Sequence, residues 1–305
     1  MSKEDTPNAL TTDEKLRLIE EFCQMNPRGM VIFSGGETMK KADEFFTLSQ
    51  KCMDLNLVCF ANTNGTLIQD QYVAEKLVRS GPRYLMLSLD SHREEIHDYM
   101  RGVPGTYKKV LNAISLLNEA KKKYHVDPEM EILINSIVMD LNYRELRDLI
   151  KFARGLDINH IAFQVIGRTF DKRTEKDIMF EKLFPKDKQG FKHEIDKIIM
   201  EFSGDPLVST NENDFNWMKL YVDNPDFMGV QVCASFENNI IVDSYGNAKL
   251  CFNMNELFKS KTLDNIKNSS LKDFWTSKNT NKMRAVLSKC RMNCGMLNCH
   301  KKRTI

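Results

Sequence analysis

The chain has 305 residues, 42% of them apolar and 28% charged, and its 44 basic residues against 42 acidic ones leave a net charge of +2. That length can bury a substantial core as one large domain, or as a large and a small one, and the near-neutral balance argues against nucleic acid or an anionic membrane as partner. The polar N-terminus and the lack of a long apolar run do not suit a signal peptide or a membrane span, so a cytoplasmic protein is expected, in which eight cysteines are better explained by metal or catalysis than by disulfides.

Thr11-Thr12-Asp13-Glu14 reads as a capping box, and Leu16, Ile19 and Cys23 follow at helical spacing until Asn26-Pro27-Arg28-Gly29 ends the segment. Met30–Phe33 is then an apolar run too short for a helix and suited to a buried strand. Residues 57–61, 84–89, 132–138 and 161–166 read the same way, which predicts five buried strands. Helices are predicted between them from about Lys41, from about Gln69 to Ser80, from Thr106 along Val110, Ile114 and Leu117, and from Asn142 to near Gly155. Strict alternation of strand and helix implies a parallel sheet, open or closed into a barrel, with ligands at the carboxyl ends of its strands. Residues 170–230 suggest short helices and loops, and Asp243-Ser244-Tyr245-Gly246-Asn247 suggests a hairpin turn. Leu271 to Lys289 reads as one further helix.

Two groups of residues carry chemistry. The first lies at predicted strand ends: Ser34-Gly35-Gly36-Glu37-Thr38, where bare backbone stands beside a carboxylate suited to an ammonium group, then Asn62–Ile68, Ser88-Leu89-Asp90-Ser91, and the stretch Glu95–Tyr107. The second is a set of five thiols, Cys233, Cys251, Cys290, Cys294 and Cys299. Soft thiolates at short spacing suit an iron–sulfur cluster or zinc, the bland alternative being buried apolar cysteines or a disulfide. Cys52 and Cys59 fit core faces, His92 and His97 are expected to hydrogen-bond the nearby turn, and His300 fits a solvated tail.

In this order and register, the strand-end segments resemble the radical S-adenosylmethionine enzymes, and the spacing Cys233-x12-Gly246-x4-Cys251 resembles their auxiliary-cluster modules of the SPASM or twitch type. The resemblance covers about residue 11 to residue 300. It implies an α/β fold: a partial (β/α)6 TIM-like barrel with its first strand missing, followed by a small cysteine-rich α+β module. The implied divisions are a barrel at 1–168, a helical connection at 169–230 and a cluster-binding module at 231–305.

The resemblance also implies that Gly35, Gly36 and Glu37 bind the methionyl amino group of S-adenosylmethionine, and that Ser88, Asp90 and Arg101 supply further polar contacts. Asn135 is implied as a ribose contact, and four of the five C-terminal cysteines as ligands of a 4Fe-4S cluster. The implied activity is hydrogen abstraction by a 5′-deoxyadenosyl radical, on a peptide, a protein or a small molecule, with an electron donor as further partner. One departure stands out. The family holds its catalytic cluster with Cys-x3-Cys-x2-Cys, and Cys23 is the single cysteine before Gly35 in this sequence. The expectation is therefore a truncated chain or a shortened paralogue, whose rival function is a non-catalytic binding or scaffold protein with a cluster or a structural zinc on its C-terminal thiols.

Overall fold

The computed structural model describes residues 8–125, 129–167, 180–225, 234–252 and 264–290. The chain divides into two compact units, one of residues 28–166 with 181–225 and the other of residues 1–27, 167–180 and 226–305.

The larger unit is an α/β layer built on one parallel sheet of five strands, β1 (Met30–Phe33), β2 (Val58–Thr63), β3 (Tyr84–Ser88), β4 (Glu131–Val138) and β5 (His160–Val165), in sequential order. The sheet has the sequential parallel order expected of a partial barrel. The connecting helices are α2 (Ala42–Asp54), α3 (Gln71–Ser80), α4 (Glu94–Arg101), α5 (Thr106–Tyr124) and α6 (Leu146–Arg154). Alternation along the strands separates two faces. Cys59, Leu85, Leu87, Ile132, Ile134, Ile161 and Phe163 are buried on the helix side, where Phe33 meets Phe45 of α2 edge-on at 5.5 Å. Gly65 fits against that layer because a Cβ there would lie 2.9 Å from Leu87 Cδ2, and its φ of +74° suits glycine.

The other face is half-open. Its residues align across strands in register, Ile32 beside Phe60 and Phe60 beside Tyr84, then Ser88 beside Asn135 and Asn135 beside Ala162. Apolar residues thus line its lower rows and polar ones its carboxyl end. The outer edge of β5 is occupied: Ile161 accepts from Ser209 N and donates to Leu207 O, and Thr210 bonds the Phe163 amide at 2.7 Å. Helices α7 (Lys188–Phe202) and α8 (Glu212–Asp223) complete this unit, longer than the short helices expected there.

The second unit contains α1 (Thr12–Met25), α9 (Ser235–Asn238), strands β6 (Ile241–Val242), β7 (Asn247–Lys249) and β8 (Asp264–Asn265), and helices α10 (Leu271–Thr276) and α11 (Lys278–Leu287). The expected capping box starts α1, with Glu14 N on Thr11 and the Glu14 carboxylate on the Thr11 amide. The expected hairpin forms and is joined by a third strand. The helix expected over 271–289 is two helices that meet at Ser277, whose hydroxyl caps the second. Although α1 is first in sequence, Leu10 and Leu18 are buried with Ala248, Leu250, Ile266, Leu271, Phe274, Met283 and Leu287. Arg17 donates to Ile266 O at 2.8 Å, and Glu21 accepts the amide of Leu271, the first residue of α10, at 2.7 Å. The N-terminal helix is therefore a structural part of the C-terminal unit.

This packing predicts that Leu18→Ala destabilises that unit by about 2–5 kcal/mol, the usual loss for a buried leucine. The two tryptophans separate the units: Trp275 lies against the apolar cluster of the second, and Trp217 is buried on α8 of the first. In single-tryptophan variants, urea unfolding followed by fluorescence should show an earlier transition at Trp275 and an unchanged one at Trp217.

Candidate functional site

The first element of the site is the turn after β1. Gly35 and Gly36 have φ of +100° and +53°, and a Cβ built on either would meet nothing within 4 Å. They present bare, accessible backbone. Glu37 then folds back onto the chain. Its Oε1 accepts from Met39 N at 3.0 Å, which caps the short 3-10 helix, and from Thr63 Oγ1 at 2.5 Å, and its Oε2 accepts from Asn64 N at 2.8 Å. The turns after β1 and β2 are thus tied together by one carboxylate, helped by Thr38 Oγ1 on Asn62 O at 2.7 Å. A carboxylate offers about four lone-pair positions, so these three bonds leave one of Glu37's unfilled among the described residues.

The second element is Asp90, just beyond β3. Its side chain is 2% exposed. Oδ1 accepts from Ile137 N at 2.9 Å, and Oδ2 meets Arg101 Nε at 2.6 Å. The Asp90 carbonyl accepts from Asn142 Nδ2 at 2.7 Å, and the Asp90 amide donates to His97 Nδ1 at 3.1 Å. Burial pushes the Asp90 carboxyl up, while the Arg101 guanidinium and the Ile137 amide pull it back. Arg101, the last residue of α4, has a side chain 26% exposed, and its Nε and Nη2 are both buried without a hydrogen bond among the described residues, so its contact with Asp90 is an ion pair.

Ser88 and Asn135 are cross-strand partners on the half-open face. The structure therefore brings together Ser88 with Asn135 and Asp90 with Arg101, on the same carboxyl side of the sheet as the Gly35–Glu37 turn. Of the cysteines, Cys251 follows β7 half-buried against the apolar cluster, and Cys290 is half-buried with its amide on Leu287 O. Cys233, Cys294 and Cys299 lie outside the described residues. The chemistry of this donor set, five thiols, suits a cluster. The segment before Gly35, with Cys23 alone on α1, does not provide the three thiols of a catalytic cluster.

The sequence did not reveal α4 as a helix, and although it singled out the segments that hold Thr63, Asn64 and Asp98 and started a helix at Asn142, it did not reveal the bonds these residues make. Asp98 binds Thr106 Oγ1 at 2.7 Å and Tyr107 N at 2.8 Å, so it caps α5 from the preceding helix. No local rule links a cap to a residue eight positions upstream. Cys52 and Cys59 are buried as expected, and His97 bonds the turn as expected.

Burial first, and then the Arg101 charge, lower the pKa of His97 from 6.5 to about 4. With Nδ1 accepting from Asp90, the neutral ring carries its proton on Nε2, which has no partner among the described residues. The unfolded chain thus binds this proton at a higher pH than the folded one. The contribution of His97 to stability is complete above pH 6.5 and is lost as pH falls toward 4, by about 3 kcal/mol in all. His97→Asn, whose Oδ1 can take the same amide, should flatten the change in urea midpoint between pH 7 and pH 5 relative to the wild type.

The parallel sheet is that of an α/β protein of the barrel type, and the glycine-bared backbone, fixed carboxylates and arginine stand at the carboxyl edge where such folds carry their sites. Residues 2–153 match the radical SAM superfamily model, and residues 233–300 match an iron–sulfur cluster-binding domain. The chain belongs to the radical SAM superfamily and carries that second domain. The two cofactors expected from the sequence, S-adenosylmethionine and an iron–sulfur cluster, are those of these two families. The AdoMet-dependent heme synthase of Oleidesulfovibrio alaskensis is 32% identical over 154 residues, 50% of this chain and 37% of that protein. The chain spans about two fifths of the length of the curated relatives it matches. Among solved structures, anSMEcpe with bound AdoMet and Cp18Cys peptide has a TM-score of 0.62 at 20% identity, covering 90% of this chain and 74% of that one. Streptococcus suis SuiB bound to its precursor peptide SuiA has a TM-score of 0.67 at 16% identity, covering 98% and 65%. These likenesses establish the fold. No helix among the described residues is long and apolar enough to cross a membrane.

Proposed function

We propose that the chain is the S-adenosylmethionine-binding and auxiliary-cluster-binding part of a cytoplasmic radical SAM enzyme that modifies a peptide, a protein or a small molecule. The observation that carries this reading is the Glu37 turn, a fixed carboxylate with one acceptor position left beside open glycine backbone. In this reading Glu37 and the Gly35–Gly36 backbone receive the ammonium group, Arg101 the carboxylate, and Ser88 and Asn135 the polar nucleoside edge. Asp90, buried at 2% exposure, serves the site through Arg101. Bound S-adenosylmethionine supplies, in this family, a 5′-deoxyadenosyl radical for hydrogen abstraction. The electrons would come from a reducing partner, and the half-open sheet face would receive the substrate. Both substrate classes have support, the peptide from the peptides bound in the two structural neighbours and the small molecule from the haem synthase relative.

Cys233, Cys251 and two of Cys290, Cys294 and Cys299 would hold the 4Fe-4S cluster. Anaerobic reconstitution with iron and sulfide should then give a brown protein with broad visible absorption. A colourless protein with stoichiometric zinc would refute the cluster and leave a structural metal site.

Glu37→Gln keeps most of the local hydrogen bonding and removes the charge. It should weaken S-adenosylmethionine binding, measured by calorimetry, by about 1.5–3 kcal/mol, the worth of a hydrogen bond to a charged group. Equal affinities would reject the assignment. Because the catalytic thiol triplet is not in this sequence, the polypeptide incubated with dithionite and S-adenosylmethionine should release no 5′-deoxyadenosine by chromatography. Multiple turnovers lost in Cys290→Ala would instead assign that chemistry to the C-terminal cluster.

A further inference from the structure

Resting on the reading that Arg101 receives the carboxylate of S-adenosylmethionine, we propose that Asp90 and His97 are positioning residues that hold the Arg101 guanidinium ready for that carboxylate. His97 and Arg101 are four residues apart on α4, on one face of the helix. Both grip the same residue. His97 Nδ1 accepts the Asp90 amide, and Arg101 Nε lies 2.6 Å from Asp90 Oδ2 as its ion-pair partner. Asp90 is itself immobilised from the opposite side, by Ile137 N on its carboxylate and by Asn142 Nδ2 and Ser136 Oγ on its carbonyl.

The 2.6 Å ion pair with Asp90 Oδ2 holds the guanidinium at its Nε side, and neither Nε nor Nη2 has a hydrogen bond among the described residues. Nη2 is buried without a partner among the described residues, while the side chain as a whole keeps 26% exposure, against 2% for Asp90. Buried donors without acceptors are costly, and a carboxylate arriving at the exposed part of the side chain would meet a guanidinium already oriented by Asp90. At 2% exposure Asp90 is closed off from direct contact with a ligand. Its influence is therefore on orientation. The sign of the effect separates this from simple electrostatics, since removing the Asp90 charge would strengthen an anion site that worked by charge alone.

The test compares S-adenosylmethionine with its decarboxylated analogue, which keeps the ammonium and the sulfonium, by calorimetry on the full chain. The wild type should prefer the carboxylate-bearing ligand by about tenfold or more. Asp90→Asn and Arg101→Lys should each remove most of that preference, and the double variant should lose no more than either single one. His97→Ala should lower the preference severalfold and His97→Asn should restore it, which supplies a second route if Asp90→Asn does not fold. The ratio of two ligands on one sample is insensitive to an inactive fraction. In parallel, nitrogen–proton NMR should show a slowly exchanging Arg101 Nε–H, identified by its loss in Arg101→Lys, that shifts and exchanges rapidly in Asp90→Asn. An unchanged Nε–H in Asp90→Asn, additive losses, or a preference that grows in Asp90→Asn would overturn the positioning role while leaving the site reading intact. A wild type that does not bind S-adenosylmethionine, or that binds both ligands equally, would overturn the site reading and this role with it.

Discussion

Asp90 stands where β3 leaves the sheet, and its backbone and side chain collect contacts from α4, from β4 and from the turn that follows β4. Burying a carboxylate costs several kcal/mol, and the Arg101 guanidinium and the Ile137 amide return that cost only while both are in place. Apolar residues of similar volume would hold the same elements together at no such risk. What they could not do is set the azimuth and height of a short helix. An eight-residue helix has little stability of its own, so α4 takes its position from what it is bonded to. The buried pair makes that position unique, and with it the place of Arg101.

Glu37 uses the same device with a different remainder. Both residues are carboxylates at strand ends that staple one connecting loop to the next, but Asp90 is closed off at 2% exposure whereas Glu37 is only half-buried at an open turn. That difference sorts two acidic residues that look alike in sequence into a framework group and a ligand group. The open glycines beside Glu37 strengthen the distinction, because backbone on which a Cβ would meet nothing within 4 Å among the described residues stands open in a way that the packed Asp90 turn does not.

The strands and most helices were legible because their signals are local: an apolar run of four to eight residues, a capping box, a stripe at helical spacing. The α4 segment was not, since Glu94, Glu95, Asp98 and Arg101 leave it few apolar positions. The glycine turn and the thiol spacing were visible as motifs, but the bonds that give them geometry were not. Thr63 and Asn64 reach Glu37 across 26 and 27 residues, and Asn142 reaches Asp90 across 52. Sequence reading finds a residue type at a strand end. It does not find the partner, because that partner is chosen by strand register.

The position of α1 shows the same gap at a larger scale. The family match follows the order of the chain and runs from residue 2 to residue 153, yet the apolar face of α1 is covered by the C-terminal unit. Small units bury too little surface to be secure alone and rely on staples. Two of the nine buried members of the apolar cluster come from the N-terminal segment. Arg17 and Glu21 add what apolar contact cannot, an acceptor for an end donor of α10 and a donor for the Ile266 carbonyl. Thiolates closing on a metal would be a second staple of the same kind, since a site that does not exist in the unfolded chain converts binding energy into folding energy. On that account the cluster proposed for the C-terminal cysteines has a structural share in the protein as well as a chemical one, and α1 holds the framework from which Cys251 and Cys290 are presented.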